Sequence, residues 1–206
     1  KVLKDHGVTR ISINPQTFCD ATLKRIGRKH TVQDIINAYK LALPYGFDVN
    51  MDLIAGLSGE TLRTFKHSIQ TVLELAPENI TIHTLSRKNG SNITISGEKS
   101  TDDDTIEKMV NFATITLQEN GYKPYYLYRQ KNQLAEQENV GYYRDRLCIF
   151  NVDSMEETTS ILACGANAIS KKIYGIDNRI ERLANPKDIR EYISRIDEII
   201  KKKQEL

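Results

Sequence analysis

Apolar positions in the first part of the chain follow two alternating rhythms. Short aliphatic runs at residues 10–13, 49–54 and 79–85 read as buried-type strands, each ending in polar residues. Behind them, apolar side chains recur at helical spacing. Val32, Ile35, Ile36, Tyr39 and Leu43 mark one helix, Leu62, Phe65, Ile69 and Val72 a second, and Ile106, Met109, Val110, Ala113 and Leu117 a third. Pro44 and Gly46 end the first, and Thr101 or Asp102 is the expected cap of the third. Repeated strand–helix units predict a parallel sheet with right-handed crossovers. The polar stretch 86–100 exceeds an ordinary connection, which marks it as a functional or disordered loop.

The texture changes after Gly121. Tyr125, Tyr126 and Tyr128 predict an aromatic strand, and the polar segment 130–141 is helix-prone. Short strands are expected near 147–152, 158–162 and 168–174. A last helix is expected from about Pro186, with Ile189, Tyr192, Ile193, Ile196 and Ile200 on one face. The expected division is a βα region at 1–121 and a smaller α+β domain at 122–206. Three βα units cannot close a barrel, since closure takes about eight strands and an open arc leaves unpaired edges. The first strand has no preceding partner, and the opening KVLKDHG reads as the end of a helix, so a piece of a longer protein is expected.

Composition narrows the class without naming a function. The 206 residues are 39% hydrophobic and 27% charged, ordinary for a globular protein. A net charge of +2 with interspersed signs gives no footprint for nucleic acid or an acidic membrane. The three cysteines, Cys19, Cys148 and Cys164, are far apart and form no CxxC pair, which suits reduced thiols in a cytoplasmic protein. No apolar run approaches the ~20 residues of a membrane span.

Candidate chemistry gathers at the strand tips, where α/β proteins place ligands. Gln16 supplies donor and acceptor, Arg28 a cationic fork for a carboxylate, and Asp52 an acceptor for hydroxyls. Together they suit a ligand with sugar hydroxyls and a carboxylate; equally, Arg28 and Asp52 form a structural ion pair while Gln16 caps a turn. The run Gly56-Leu57-Ser58-Gly59-Glu60 reads as a plain βα turn with Ser58 as N-cap rather than an anion loop. Of the four histidines only His30 and His83 fall near a site, and surface or core roles explain all four. The small residues before Ile169-Ser170-Lys171-Lys172 allow close backbone approach, although an exposed strand end is the simpler reading. The tyrosines from Tyr122 to Tyr128 read as packing.

These segments, assembled, resemble the radical S-adenosylmethionine family of oxygen-independent coproporphyrinogen III oxidases, also called dehydrogenases. RISINPQTF…TLKRIGRKH is similar to the family's strand with a glutamine tip and following arginine, and DVNMDLIAGLSGET to its DLI-x-GLPG-[QE]-T block. NITIHTL, GYKPYYLYRQKN and ENVGYY extend the likeness to about residue 175. The resemblance implies the C-terminal half of a partial (βα)6, TIM-like barrel with a small α+β domain behind it. It implies a [4Fe–4S] cluster on a CxxxCxxC loop, with one iron open to S-adenosylmethionine. Reductive cleavage then gives a 5′-deoxyadenosyl radical that drives decarboxylation of two propionates of coproporphyrinogen III to vinyls, in haem synthesis, with an external electron donor or acceptor. Position by position, Gln16, Arg28 and Asp52 match residues that contact S-adenosylmethionine, Ser86 a small residue beside it, and Ile169 a contact from the C-terminal domain.

The departures are specific. No CxxxCxxC occurs, and the family's glycine-rich segment for the methionine moiety is absent, so the cluster ligands are expected outside this sequence and the chain alone is expected to be inactive. Ser58 replaces the usual proline, and Asn167 interrupts a usually smaller run. The rival expectation is a haem-binding chaperone of the same superfamily. Those relatives carry HN-x-x-YW where this chain has Phe150-Asn151-Val152-Asp153-Ser154-Met155 and no tryptophan at all.

Overall fold

The computed structural model describes residues 1–86, 101–129, 134–175 and 179–205, which fall into two compact units, Lys1–Cys148 and Ile149–Leu206. The first unit opens with α1 (Val2–Asp5), β1 (Arg10–Ser12), α2 (Asp20–Arg25) and α3 (Val32–Ala42). Next come β2 (Asp48–Ala55), α4 (Leu62–Leu75), β3 (Asn79–Thr84), α5 (Asp103–Glu119), β4 (Lys123–Tyr128) and β5 (Asn139–Tyr143). The sheet order is β1-β2-β3-β5-β4. β1, β2 and β3 pair in parallel, as the strand–helix rhythm predicts, and β5 and β4 add antiparallel. This is the expected mixed α/β architecture with a parallel-rich sheet, consistent with a partial barrel.

Local chemistry sets the helix starts. Thr31 and Asp34 form a reciprocal capping box on α3, and Thr61 and Thr64 form one on α4. The cap of α4 is therefore Thr61, not Ser58, because the loop runs on to Glu60 before helical geometry begins. Asp102 caps α5 by accepting from the Thr105 N–H at 2.9 Å.

The two faces of the sheet differ in polarity. Along β2, Val49, Met51, Leu53 and Ala55 are buried, while Asp48, Asn50, Asp52 and Ile54 on the other face are only half-buried. The apolar face of β2 and β3 clusters with Phe65, Ile69 and Val72 of α4 and Ile106, Met109, Ala113 and Leu117 of α5. Burying each such side chain stabilises by about 1.5–3 kcal/mol, so the helix-covered face supplies the cohesion. The opposite face is thereby left to carry polar side chains.

Beyond β3 the chain departs from the sequence expectation. Residues 139–143, part of them in the helix-prone segment, form β5; residues 130–133 lie outside the described set, as does the loop at 86–100 after Ser86. Because β4 and β5 join the sheet, residues 122–148 belong to the first compact unit, whereas the expected boundary fell at 121/122. Gly141 permits this packing. A Cβ there would lie 1.8 Å from Cε1 of Tyr126, whose ring crosses the bare backbone of β5. Gly141→Ala should displace that ring and destabilise the unit by about 1–3 kcal/mol. An unchanged urea midpoint would show that the ring moves without cost.

The second unit holds α6 (Ile149–Glu156), the antiparallel hairpin β6 (Ile169–Tyr174) and β7 (Arg179–Ala184), and helices α7 (Ile189–Ser194) and α8 (Ile196–Glu205). Residues 149–152, expected as strand, are helical: Ile149 and Val152 are spaced for one helix turn rather than for alternation. The expected strand at 158–162 reduces to a bridge between Ile161 and Lys171. The last helix breaks at Arg195, where Glu191 and Glu198 both bind the guanidinium. Ile199 is its buried residue, while Ile189, Ile193 and Ile200 of the expected apolar face are exposed.

A polar cleft at the carboxyl ends of β1 to β3

A cleft of about 390 Å³ opens where β1, β2 and β3 end, lined by Asn14, Gln16, Arg28, Asp52, Ile54, His83, Thr84, Leu85 and Ser86. Four of the five expected site residues, Gln16, Arg28, Asp52 and Ser86, meet in it. Ile169 opens β6 in the second unit and is 54% exposed.

Backbone pairing places Gln16. Its N–H donates to the Asp52 carbonyl and its own carbonyl accepts from Ile54, both at 2.9 Å. These bonds hold a non-glycine residue at φ 68°, a conformation that costs roughly 1–3 kcal/mol. Gln16 is thus fixed at a turn while its side chain faces the cleft, where Arg28 Nη2 donates to Oε1 at 3.2 Å. Among the described residues Arg28 forms no ion pair, so the structural Arg28–Asp52 bridge is not the arrangement adopted.

Asp52 is held from the other side. Asn50 Nδ2 donates to its Oδ1 at 2.7 Å, and His83 Nε2 lies 3.6 Å from Oδ2. Burial raises the cost of ionising Asp52, but the His83 and Asn50 donors that face its two oxygens outweigh it, keeping the carboxyl below its ordinary value. The cleft therefore carries a fixed anion on β2 and a cation on the loop between α2 and α3, a pattern that matches a zwitterionic ligand bearing hydroxyls.

His83 is the member that sequence reading left among ordinary histidines. Its register partner on β2 is Ile54, two residues beyond Asp52 on the same face, so strand pairing is what brings imidazole to carboxylate. Behind the sheet, Glu60 is 5% exposed and Thr17, next to Gln16, donates to its Oε1 at 2.5 Å. Ser68 Oγ accepts from the Phe18 N–H at 2.9 Å in the same cluster. The Gly56–Glu60 run thus buttresses the loop that bears Gln16.

Residues 1–72 match the Radical SAM superfamily, a class consistent with both the sheet and the cleft. The chain is 42% identical over 200 residues to the oxygen-independent coproporphyrinogen-III oxidase-like protein HemZ of Bacillus subtilis (strain 168), covering 95% of this chain and 40% of that protein. It is 41% identical over 86 residues to the heme chaperone HemW of the same organism, covering 41% of this chain and 23% of the relative. Among solved structures, coproporphyrinogen III oxidase HemN of Escherichia coli shares the fold, with a TM-score of 0.69 over 95% of this chain and 45% of that one at 20% identity. Over almost its whole length the chain is therefore similar to an oxygen-independent coproporphyrinogen III oxidase-like protein, and its first 72 residues match the Radical SAM superfamily. It spans less than half the length of each of these relatives.

The family in general uses S-adenosylmethionine and a [4Fe–4S] cluster. The donor set of the cleft fits the first of these, with a guanidinium for a carboxylate and a carboxylate for ribose hydroxyls. It does not fit the second: among the described residues no group of three or more His, Cys, Asp or Glu is placed to hold a metal ion. No helix described is long and apolar enough to cross a membrane.

Proposed function

We propose that this chain supplies the S-adenosylmethionine-binding rim of an oxygen-independent coproporphyrinogen III dehydrogenase of the cytoplasm. The observation that carries the reading is the convergence of Gln16, Arg28, Asp52 and Ser86 on one cleft at the strand tips. Arg28 receives the ligand's carboxylate, Asp52 accepts from the ribose hydroxyls, and Gln16, tied to Arg28, orients the guanidinium between them. Ser86 lines the end of β3, where a small side chain leaves room for the nucleoside. S-Adenosylmethionine, when bound to a reduced cluster, supplies the hydrogen-abstracting radical for oxidative decarboxylation of propionates. The cluster's thiolates belong to sequence outside this chain, and electrons enter or leave through a separate partner.

Full-length protein, reconstituted anaerobically and given S-adenosylmethionine, a reductant, a one-electron acceptor and coproporphyrinogen III, should form protoporphyrinogen IX. The 206-residue chain alone should develop no [4Fe–4S] absorbance near about 400 nm, since a cluster needs its set of thiolates. A stable cluster on this chain would overturn the division of labour proposed. The second reading, a haem-binding chaperone, is favoured by the likeness to HemW. Tight stoichiometric haem binding by the full-length protein, without turnover of the porphyrinogen, would establish it instead.

A further inference from the structure

The polar face of the sheet carries more than the rim. Two tyrosines of the edge strand β4 reach over β5 to β3. Tyr126 Oη lies 3.3 Å from Thr81 Oγ1, and Tyr128 Oη lies 3.3 Å from His83 Nδ1. Their rings are stacked, 6.2 Å apart with planes 6° from parallel. His83 is thus engaged at both ring nitrogens, by Tyr128 on one side and Asp52 on the other. With the proton on Nε2 the imidazole donates toward Asp52 and its Nδ1 accepts the Tyr128 O–H; the carboxylate, which can only accept, selects this tautomer, and the hydroxyl satisfies the nitrogen left bare.

We propose that His83, held between Tyr128 and Asp52, is the positioning residue that aims the Asp52 carboxylate at the hydroxyls of the bound ligand. The proposal rests on the reading of Asp52 as the ribose acceptor.

Three features of the geometry support it. First, Asp52 is half-buried, at 19% side-chain exposure, where an ionised carboxylate needs donors to hold its charge and its rotamer. Second, Asn50 fixes only Oδ1, and the His83 ring nitrogen is what faces Oδ2, at 3.6 Å. Third, Thr81 Oγ1 donates to Asn50 Oδ1 at 3.2 Å, so both oxygens of Asp52 are reached through side chains anchored by β4 tyrosines. The charged and titratable groups around His83 are Asp52 on β2, Tyr128 and Tyr126 on β4, and Arg28 across the cleft. Ligand recognition on β2 is in this way coupled to β4, three places away in the sheet.

The test measures the affinity of the full-length protein for S-adenosylmethionine and for its 2′,3′-dideoxyribose analogue. Wild type should prefer the ribose form by about tenfold or more, the effect of hydrogen bonds to a charged acceptor. His83→Ala should weaken the ribose form by about tenfold and leave the dideoxy form within about twofold. His83→Gln, whose amide N–H reaches the place of Nε2, should restore most of the preference, and His83→Asn, which reaches only the place of Nδ1, should not. Tyr128→Phe should fall between wild type and His83→Ala. A wild-type preference that survives His83→Ala, or equal losses for both ligands, would overturn the proposal alone. No wild-type preference would overturn the ribose role of Asp52 and this proposal with it.

Discussion

Asp52→Asn should weaken S-adenosylmethionine binding by about 10–100-fold, the range expected when hydrogen bonds to a charged acceptor are lost. The substitution keeps shape and volume, so the effect isolates charge and donor pattern. Asn50 Nδ2 at 2.7 Å and His83 Nε2 at 3.6 Å both point donors at this side chain. An amide offers them one acceptor oxygen and turns its own N–H groups toward the other donor. Arg28→Ala should act in the same direction, through the ligand's carboxylate and through loss of the 3.2 Å bond that orients Gln16. Stability should respond with a definite sign. The lowered pKa of Asp52 means that its contribution is present above the ordinary carboxylate range and fades as acid protonates it in the folded state. Titration calorimetry on the full-length variants decides the matter, and wild-type affinity in Asp52→Asn would remove Asp52 from the ligand site.

Much of this site was legible because strand tips follow directly from local pattern. The polar residues that follow β1 as far as Gln16, and the alternation that puts Asp52 on the polar face of β2, are readable without tertiary information. His83 was not legible in the same way. A single histidine on a strand reads equally well as core or surface, and its role depends on the β2–β3 register and on Tyr128 arriving from beyond β5. That arrival needs β5 inserted between β3 and β4, a long-range antiparallel pairing that no local period encodes. The same insertion moved residues 122–148 into the first unit. The helix at Ile149–Glu156 was misread for a related reason: a short apolar run is ambiguous between strand and helix until its neighbours are known. Chemistry carried by one strand was therefore readable, and chemistry assembled across strands was not.

Glu60 carries the second large effect, on stability rather than on binding. Burial pushes its carboxyl up to about 7, against the opposing hydrogen bond from Thr17. Oε2 is buried without a partner among the described residues, so the ionised form lacks a second donor. In the unfolded chain the same group titrates near its ordinary value of 4.5. Between those two values the folded state holds a proton that the unfolded state has released, so stability falls as pH rises through this window and is flat for this group outside it. A shift of that size corresponds to about 3 kcal/mol. Glu60→Gln keeps the acceptor for Thr17 and cannot ionise, so the variant should match wild type near pH 4.5 and exceed it by about 3 kcal/mol at pH 8. Because Thr17 adjoins Gln16, the same comparison should show the rim held more firmly at high pH in the variant. Urea melts from pH 4.5 to 8 read the difference directly. Parallel pH profiles for the two proteins would mean that the carboxyl is already neutralised or solvated by another route, and that the Gln16 loop does not depend on its protonation.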